Sequence, residues 1–342
     1  MGDSIPRIRA TRMEDVARRA SVSSATVSRV LNGRHNVGIA YRRRVLEAVE
    51  ELGYRPNRLA KNLRLQRTAA VGIVVPDIEN PHFSGMVRAV EDRAYRQGYR
   101  VLVCNTDESP EKQRAYLEML TEERVLGVIL SVSDPNDPGI STLLDLGIPL
   151  VAFDREVADP RADAVLADNV SGARMAVDLL AGAGHRRIAF VSGRRDVETG
   201  AERLDGYELT MRARGLEPDV VGGSFRTEEA RVAVADLLSG RERPSALVVG
   251  NNLMTLGALH AIREHNLAVP GDVAIVAFDD PTWAALVDPP LTTLAQPVQR
   301  MASEAMGFLL QRIAAARTEP HRTVHPFTLR VRESCGTGRR GI

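Results

Sequence analysis

Cysteine is nearly absent: of 342 residues only Cys104 and Cys335 carry thiols, far apart and without metal-ligand spacing. Two ordinary reduced thiols and no metal site are expected. No apolar run approaches the ~20 residues that a membrane helix requires. Residues 1–12 carry charge but neither an apolar core nor a small-residue cleavage site, so no secretory signal and a cytoplasmic location are expected. Catalytic signatures are missing too. No G-x-G-x-x-G follows a strand, and there is neither a P-loop nor an H-E-x-x-H. Neither thiol has a base beside it, and His185 falls in a helix-to-strand turn where a structural role is expected. The sequence therefore predicts no catalytic residue, no cofactor and no enzyme.

What is present divides unevenly. The hydrophobic share, 44%, is that of a globular protein, and 342 residues exceed one typical core, so two or three domains are expected. The net charge of +1 conceals a split: residues 1–67 hold fifteen Lys/Arg and six Asp/Glu, leaving thirty and thirty-eight for the rest. A small basic module on a larger acidic body suits a phosphate-binding head. Composition alone also permits a membrane-surface arm, against which the small apolar faces of this segment argue.

Within the basic module, Met13 to Gly33 reads as two short helices and a tight turn. Val16, Ala17 and Ala20 share one face; Ser23 is placed to cap the next helix; Val27, Val30 and Leu31 point inward from it. Ser24, Ala25, Ser28 and Arg29 remain outside, the arrangement of a DNA-reading helix-turn-helix, though many helix pairs pack this way without touching DNA. A third helix spans about Ile39 to Leu52, stopped by Gly53 and then Pro56. Residues 56–67 are basic and read either as a plain linker or as a short helix that is marginal alone.

From about Ala69, apolar runs alternate with amphipathic helices. Strands are expected at 71–75, 101–104, 127–131, 150–153, 188–191, 246–249 and 273–278. The helices between them are expected near 84–97, 110–122, 139–146, 171–183, 200–214, 227–239, 253–265 and 298–316. Such alternation predicts an α/β body of two doubly wound parallel-sheet subdomains, with ligand bound at the strand C-termini facing an intervening cleft. Candidate ligand residues fall at or near those ends: Asn80, His82 and Phe83, then Asp154 and Arg155, then Asn251 and Asp279, joined by Arg203 opening a helix, Phe225 preceding another and Gln296 on a crossover to the first lobe. Carboxylates, Arg and amides suit sugar hydroxyls and aromatic faces suit sugar C–H surfaces. Singly, each has a plainer explanation as a helix cap or core residue.

The strings Asp15-Val16-Ala17, Val22-Ser23 and Ala25-Thr26-Val27-Ser28-Arg29-Val30-Leu31-Asn32-Gly33 resemble the headpiece of the LacI family of bacterial transcription regulators, and the resemblance continues almost to the C-terminus. It implies a head at 1–55, a hinge helix at 56–67 and a periplasmic-binding-protein-like core at 68–333. By the same analogy lobe 1 takes about 69–167 and 299–320, lobe 2 takes 168–298 and 321–333 with a last strand near Val324–Arg332, and residues 334–342 form a disordered tail. Arg29 is the expected base-reading residue, since Arg pairs bidentately with guanine, with a phosphate contact as its other reading. Ser24 and Ala25 occupy operator-preference positions; Thr26, Ser28, Asn32 and His35 are expected to position the backbone. In the hinge, Leu63 is the implied minor-groove wedge, with Asn57 and Ala60 along that groove. The resemblance also implies a homodimer on near-palindromic double-stranded DNA, without a membrane partner.

Two cleft residues depart from the pattern of the ribose-type members: His82 stands where Phe is common, and Asn252 replaces a common acidic residue. A pentose or related monosaccharide is the expected effector, with a nucleoside as its nearest rival. The same fold controlled by a protein partner and an exported sugar-binding transport receptor are the remaining alternatives.

Overall fold

The computed structural model describes residues 13–31, 37–54 and 69–336. The expected hinge segment, Asn32, His35, Asn57, Ala60, Leu63 and the tail beyond residue 336 lie outside the described residues. The chain forms two compact units, residues 1–67 and 68–342.

In the first unit, α1 (Met13–Ala20), α2 (Ser24–Leu31) and α3 (Ile39–Glu51) surround a small core of Val16, Ala17, Ala20, Val27, Val30, Val45, Ala48 and Tyr54. Ser21 turns the chain at φ 52°. Ser23 then caps α2, its Oγ accepting from the Thr26 amide at 3.2 Å. Gly38 before α3 offers no side-chain cap, a difference of only a few tenths of a kcal/mol relative to serine. Gly53 ends α3 at φ 55°, the left-handed stop that glycine adopts without strain.

The second unit contains two six-stranded sheets. The first runs β11-β5-β4-β3-β1-β2, from β1 (Ala70–Val75), β2 (Arg100–Asn105), β3 (Val128–Leu130), β4 (Leu150–Phe153), β5 (Asp163–Ala167) and β11 (Arg322–His325). All its pairings are parallel. The second repeats that order as β12-β10-β9-β8-β6-β7, from β6 (Ile188–Ser192), β7 (Asp219–Gly222), β8 (Ala246–Val249), β9 (Ala274–Phe278), β10 (Thr292–Ala295) and β12 (Thr328–Arg330). Only β12 runs antiparallel to its neighbour. Helices α4 (Pro81–Arg96), α5 (Pro110–Glu122) and α6 (Pro138–Asp145) belong to the first sheet's succession. In the second lie α7 (Asn169–Gly182), α8 (Glu198–Ala213), α9 (Thr227–Ser239) and α10 (Asn252–Glu264). The last helix, α11 (Val298–Ile313), returns to pack on α4, β4 and β5.

The inner strands of both sheets are buried on both faces, as helix-covered parallel strands must be; β1, β4, β5, β6, β8 and β9 are buried along their whole length. The two halves also repeat in detail. Phe153 ends β4 and is followed by Asp154 as Phe278 ends β9 and is followed by Asp279, and both aspartates sit at φ 69°. Their amides donate to equivalent neighbours, Asp154 to Val165 O at 3.0 Å and Asp279 to Leu294 O at 2.9 Å.

Several expectations need correction. Residues 324–332 do not form one strand of the second lobe. Val324 lies in β11 of the first sheet, and after Pro326 and Phe327 the chain crosses to form β12 in the second. Nor is residue 334 the start of a disordered tail. Ser334 and Cys335 are buried in a 3-10 turn, where Ser334 Oγ donates to Ile275 O at 2.7 Å and accepts from the Thr292 amide at 2.8 Å. Three strands were not anticipated: β5 sets its four apolar residues behind the charged Asp163, β7 is a half-buried edge, and β10 begins with two threonines. Asp163 is fully buried because Arg317 and Arg312 engage its carboxylate at 2.7 and 3.2 Å. His185 is a turn residue as expected, with Nδ1 2.9 Å from Ser245 Oγ.

Candidate functional site

In the head, α2 buries Val27 and Val30, which turns its other face outward. Ser24, Ala25 and Arg29 are exposed, and Thr26 and Ser28 are half-buried beside them. Five of the expected DNA-facing residues thus share one short helix. Behind it, α1 carries acidic residues at its start and basic ones at its end, which suits the helix dipole, and Arg19 meets Glu51 of α3 at 2.6 Å on the surface.

In the second unit, one cleft collects every expected ligand residue: Asn80, His82, Phe83, Asp154, Arg155, Arg203, Phe225, Asn251, Asp279 and Gln296. Each reaches it for a local reason. Asn80 caps α4, its Oδ1 accepting from the His82 amide at 2.9 Å, with Pro81 in the first turn; this aims His82 and Phe83 from the helix start. Asn251 likewise caps α10 by accepting from the Met254 amide at 2.8 Å. The plain capping role of both asparagines is therefore real, and it also fixes their positions at the cleft. Asp154 and Asp279 arrive on the equivalent left-handed strand ends described above.

Phe225 depends on glycine. A Cβ on Gly193 would lie 2.1 Å from the Phe225 ring, so only a bare backbone leaves room for the phenyl group.

The charged residues are closely paired. Arg155 gives Nη1 and Nη2 to the two Glu108 oxygens at 2.7 Å each, and Nη1 also reaches Val132 O at 3.1 Å. Burial opposes the Arg155 charge, but Glu108 and Asp154 outweigh it and hold the guanidinium above its ordinary range. Arg203 donates to Asn169 Oδ1 at 2.8 Å and Gly250 O at 2.6 Å and lies 4.5 Å over the Phe278 ring. Its burial outweighs the nearby carboxylates and lowers its pKa. Asp279 accepts from Gln296 Nε2 at 3.0 Å and from Asn252 N and Nδ2 at 3.2 and 3.0 Å.

The two departures from the family pattern also meet at this cleft. His82 Nε2 stands 3.4 Å from Asp154 Oδ1, close enough for electrostatic attraction, yet neither ring nitrogen makes a hydrogen bond among the described residues. Burial opposes charge on this imidazole, but Asp154 and Asp279 together raise its pKa above the usual value. Asn252 Nδ2 bridges the halves, donating to Asp279 and, at 2.9 Å, to Asn80 Oδ1. Arg226 reaches Asp77 at 3.1 Å across the same gap. The Glu156 amide donates to Glu198 beside it. So joined, the halves leave a cavity of about 30 Å³, room for a water or two.

Asp77, Glu108, Thr199 and Arg226 line this cleft as well and were not foreseen. Asp77 and Glu108 follow β1 and β2, so the rule that ligands gather at strand C-termini pointed to them. Arg226 adjoins Phe225. Thr199 carries no sequence signal, being one threonine inside a helix start.

Comparison with known proteins agrees with this two-part reading. Residues 12–57 match the model for bacterial regulatory proteins of the lacI family, and residues 177–335 that for a periplasmic binding protein-like domain. The HTH-type transcriptional repressor PurR of Aliivibrio salmonicida is 36% identical over 88% of this chain and 92% of its own. A transcriptional regulator CelR–cellobiose complex is 35% identical, with a TM-score of 0.72 over 95% of this chain and 99% of that one. The lac repressor dimer bound to operator and the anti-inducer ONPF shares 26% identity and a TM-score of 0.86, over 96% and 99% of the two chains. Among the described residues, no helix is long and apolar enough to cross a membrane.

Proposed function

Since the chain belongs to the LacI family of bacterial regulatory proteins, which are DNA-binding regulators and not enzymes, we propose that it is a homodimeric repressor controlled by a small neutral sugar. The observation carrying the sugar reading is the convergence of ten polar and aromatic residues, drawn from both halves, on one cleft. Asp154 and Asp279 approach from opposite sides as acceptors for hydroxyl groups, and Phe83 and Phe225 supply apolar faces. The cellobiose-bound relative supports the same class of ligand.

The exposed face of α2 reads the operator, with Arg29 as its specificity contact. Two heads in a two-fold dimer select a near-palindromic site. A cavity of about 30 Å³ is too small for a monosaccharide, so entry requires the Asp77–Arg226 and Asn80–Asn252 contacts to part. The ligand then stabilises whichever lobe arrangement it binds better, and operator affinity shifts by that difference. A nucleoside is the second reading, favoured by the same pair of phenyl groups, because its ribose would meet the carboxylates while its base met a ring.

The test is a footprint on the DNA upstream of the protein's own gene, with and without pentoses, hexoses, cellobiose and nucleosides. Protection of a symmetric site that changes with one sugar supports the proposal. No preference for any symmetric duplex overturns the operator reading, and a response confined to nucleosides overturns the sugar reading.

A further inference from the structure

Three guanidinium groups line the cleft, which at first suggests a site for an anion. Their partners argue otherwise. The Arg155 side chain is 5% exposed; both terminal nitrogens engage Glu108, and its Nε faces Asp154 Oδ2 at 3.8 Å. Arg203 is committed to Asn169, Gly250 and the Phe278 ring. Arg226 is turned to Asp77, and His82 faces Asp154. Asp279 is held by neutral amides and Asp154 by His82 and the Arg155 Nε, and these two carboxylates are left to meet a ligand.

The Glu108 contact is built into the backbone. Asp107 and Glu108 lie consecutively in the left-handed region at φ 52° and 60°, a conformation that non-glycine residues keep only where their surroundings impose it. Those surroundings are visible. The Glu108 amide donates to Pro76 O at 3.2 Å, Asn105 Nδ2 holds Asp107 at 2.7 Å, and Asn105 Oδ1 takes the Ile78 amide at 2.8 Å. In the second half the corresponding left-handed pair is Ser224 and Phe225, at φ 52° and 61°. The same loop device thus delivers a phenyl group from one half and a carboxylate from the other.

We infer that Glu108 is a specificity residue: by holding Arg155 it denies a free cation to anionic ligands, so the cleft admits neutral, hydroxyl-rich molecules and rejects phosphorylated ones. This deepens the sugar reading and rests on it for the neutral ligand, whereas the exclusion of anions stands on the charge pairing itself. Like charges brought together in a buried site oppose binding strongly, and Asp154 and Asp279 are the groups a phosphate would approach.

The test uses the full chain with D-ribose, cellobiose, D-ribose 5-phosphate and inorganic phosphate as probes, read by calorimetry and thermal shift at matched ionic strength. The wild type is expected to bind ribose 5-phosphate at least ~10-fold more weakly than the better neutral sugar, and inorganic phosphate should leave its Tm unchanged. Glu108→Gln should gain at least ~10-fold in affinity for inorganic phosphate as Arg155 is released, while Glu108→Asp keeps the exclusion. Wild-type protein that binds ribose 5-phosphate as well as the neutral sugars overturns the inference. So does a folded Glu108→Gln variant with no gain for phosphate. If Glu108→Gln does not fold, the wild-type and Glu108→Asp comparisons decide. If no sugar binds, the sugar reading fails, and the phosphate comparison between wild type and Glu108→Gln still decides the exclusion.

Discussion

Asp279 offers the sharpest test of the cleft, because two substitutions there should separate ligand binding from folding. Its carboxylate accepts three hydrogen bonds, from Asn252 N, Asn252 Nδ2 and Gln296 Nε2, and its backbone sits at φ 69°. In Asp279→Asn the backbone is tolerated, since asparagine is among the residues that accept this region. The new amide nitrogen would face the Gln296 amide, but Gln296 Oε1 has no partner among the described residues. A flip of Gln296 therefore restores the bond, and the stability cost should stay within about 1 kcal/mol. What is lost is charge. Two hydroxyls bound to a carboxylate rather than a neutral amide differ by roughly 1–1.5 kcal/mol each, so affinity should fall by ~2–3 kcal/mol, or ~30–150-fold.

Asp279→Ala behaves differently. It leaves the Asn252 amide and Gln296 Nε2 without acceptors and places alanine at a left-handed φ, for a destabilisation of about 2–5 kcal/mol. Urea denaturation gives the stability terms and calorimetry with the responding sugar gives the affinity. Operator binding without ligand should survive Asp279→Asn. Wild-type sugar affinity in that variant would falsify the role assigned to the carboxylate; an equal loss of stability in both variants would refute the proposed repair by Gln296.

Arg29→Ala should weaken operator binding by about 1–3 kcal/mol and relax sequence preference; a uniform loss on random duplexes would reassign Arg29 to a phosphate. Ser23→Ala removes the acceptor of the Thr26 amide and should cost about 1 kcal/mol, measured on the isolated melting of the head. Gly206→Ala puts a Cβ 2.4 Å from Val170 O where α7 meets α8, so a clear fall in Tm is expected, and an unchanged Tm would count against that close contact. The raised pKa of His82 means that the folded state holds its proton more tightly than the unfolded chain. That stabilisation is complete below about pH 6.5 and disappears as pH rises through the folded-state pKa. His82→Phe should remove this part of the pH dependence, and identical pH slopes for the two proteins would show that the imidazole does not titrate as described.

The residues alone were enough to locate most of the architecture, because its signals are local. The apolar period that places Val16, Ala17 and Ala20 on one face, the Ser23 cap, and the fully apolar runs of β1, β6 and β8 each depend on neighbours a few positions away. The strand-end rule likewise marked most of the cleft, among them Asp154, Arg155, Asn251 and Asp279, since a parallel strand's C-terminus is readable from where its apolar run stops; Arg203 lies inside a helix, and Phe225 and Gln296 follow strands that were not anticipated. Where that run is broken, the reading failed. Asp163 opens a buried strand only because Arg312 and Arg317, some 150 residues later, neutralise it, and no window of sequence contains both partners.

The same limit explains the rest. Whether residues 322–330 serve one sheet or both depended on the pairing of β11 with β5 and of β12 with β10. Ser334 could be recognised as core only once Ile275 and Thr292 were beside it. Above all, composition counts Arg155 as a cation facing a ligand, whereas three-dimensional packing gives it to Glu108. A charge's availability is set by what stands within a few ångströms of it, and in this chain that neighbour comes from another strand's loop.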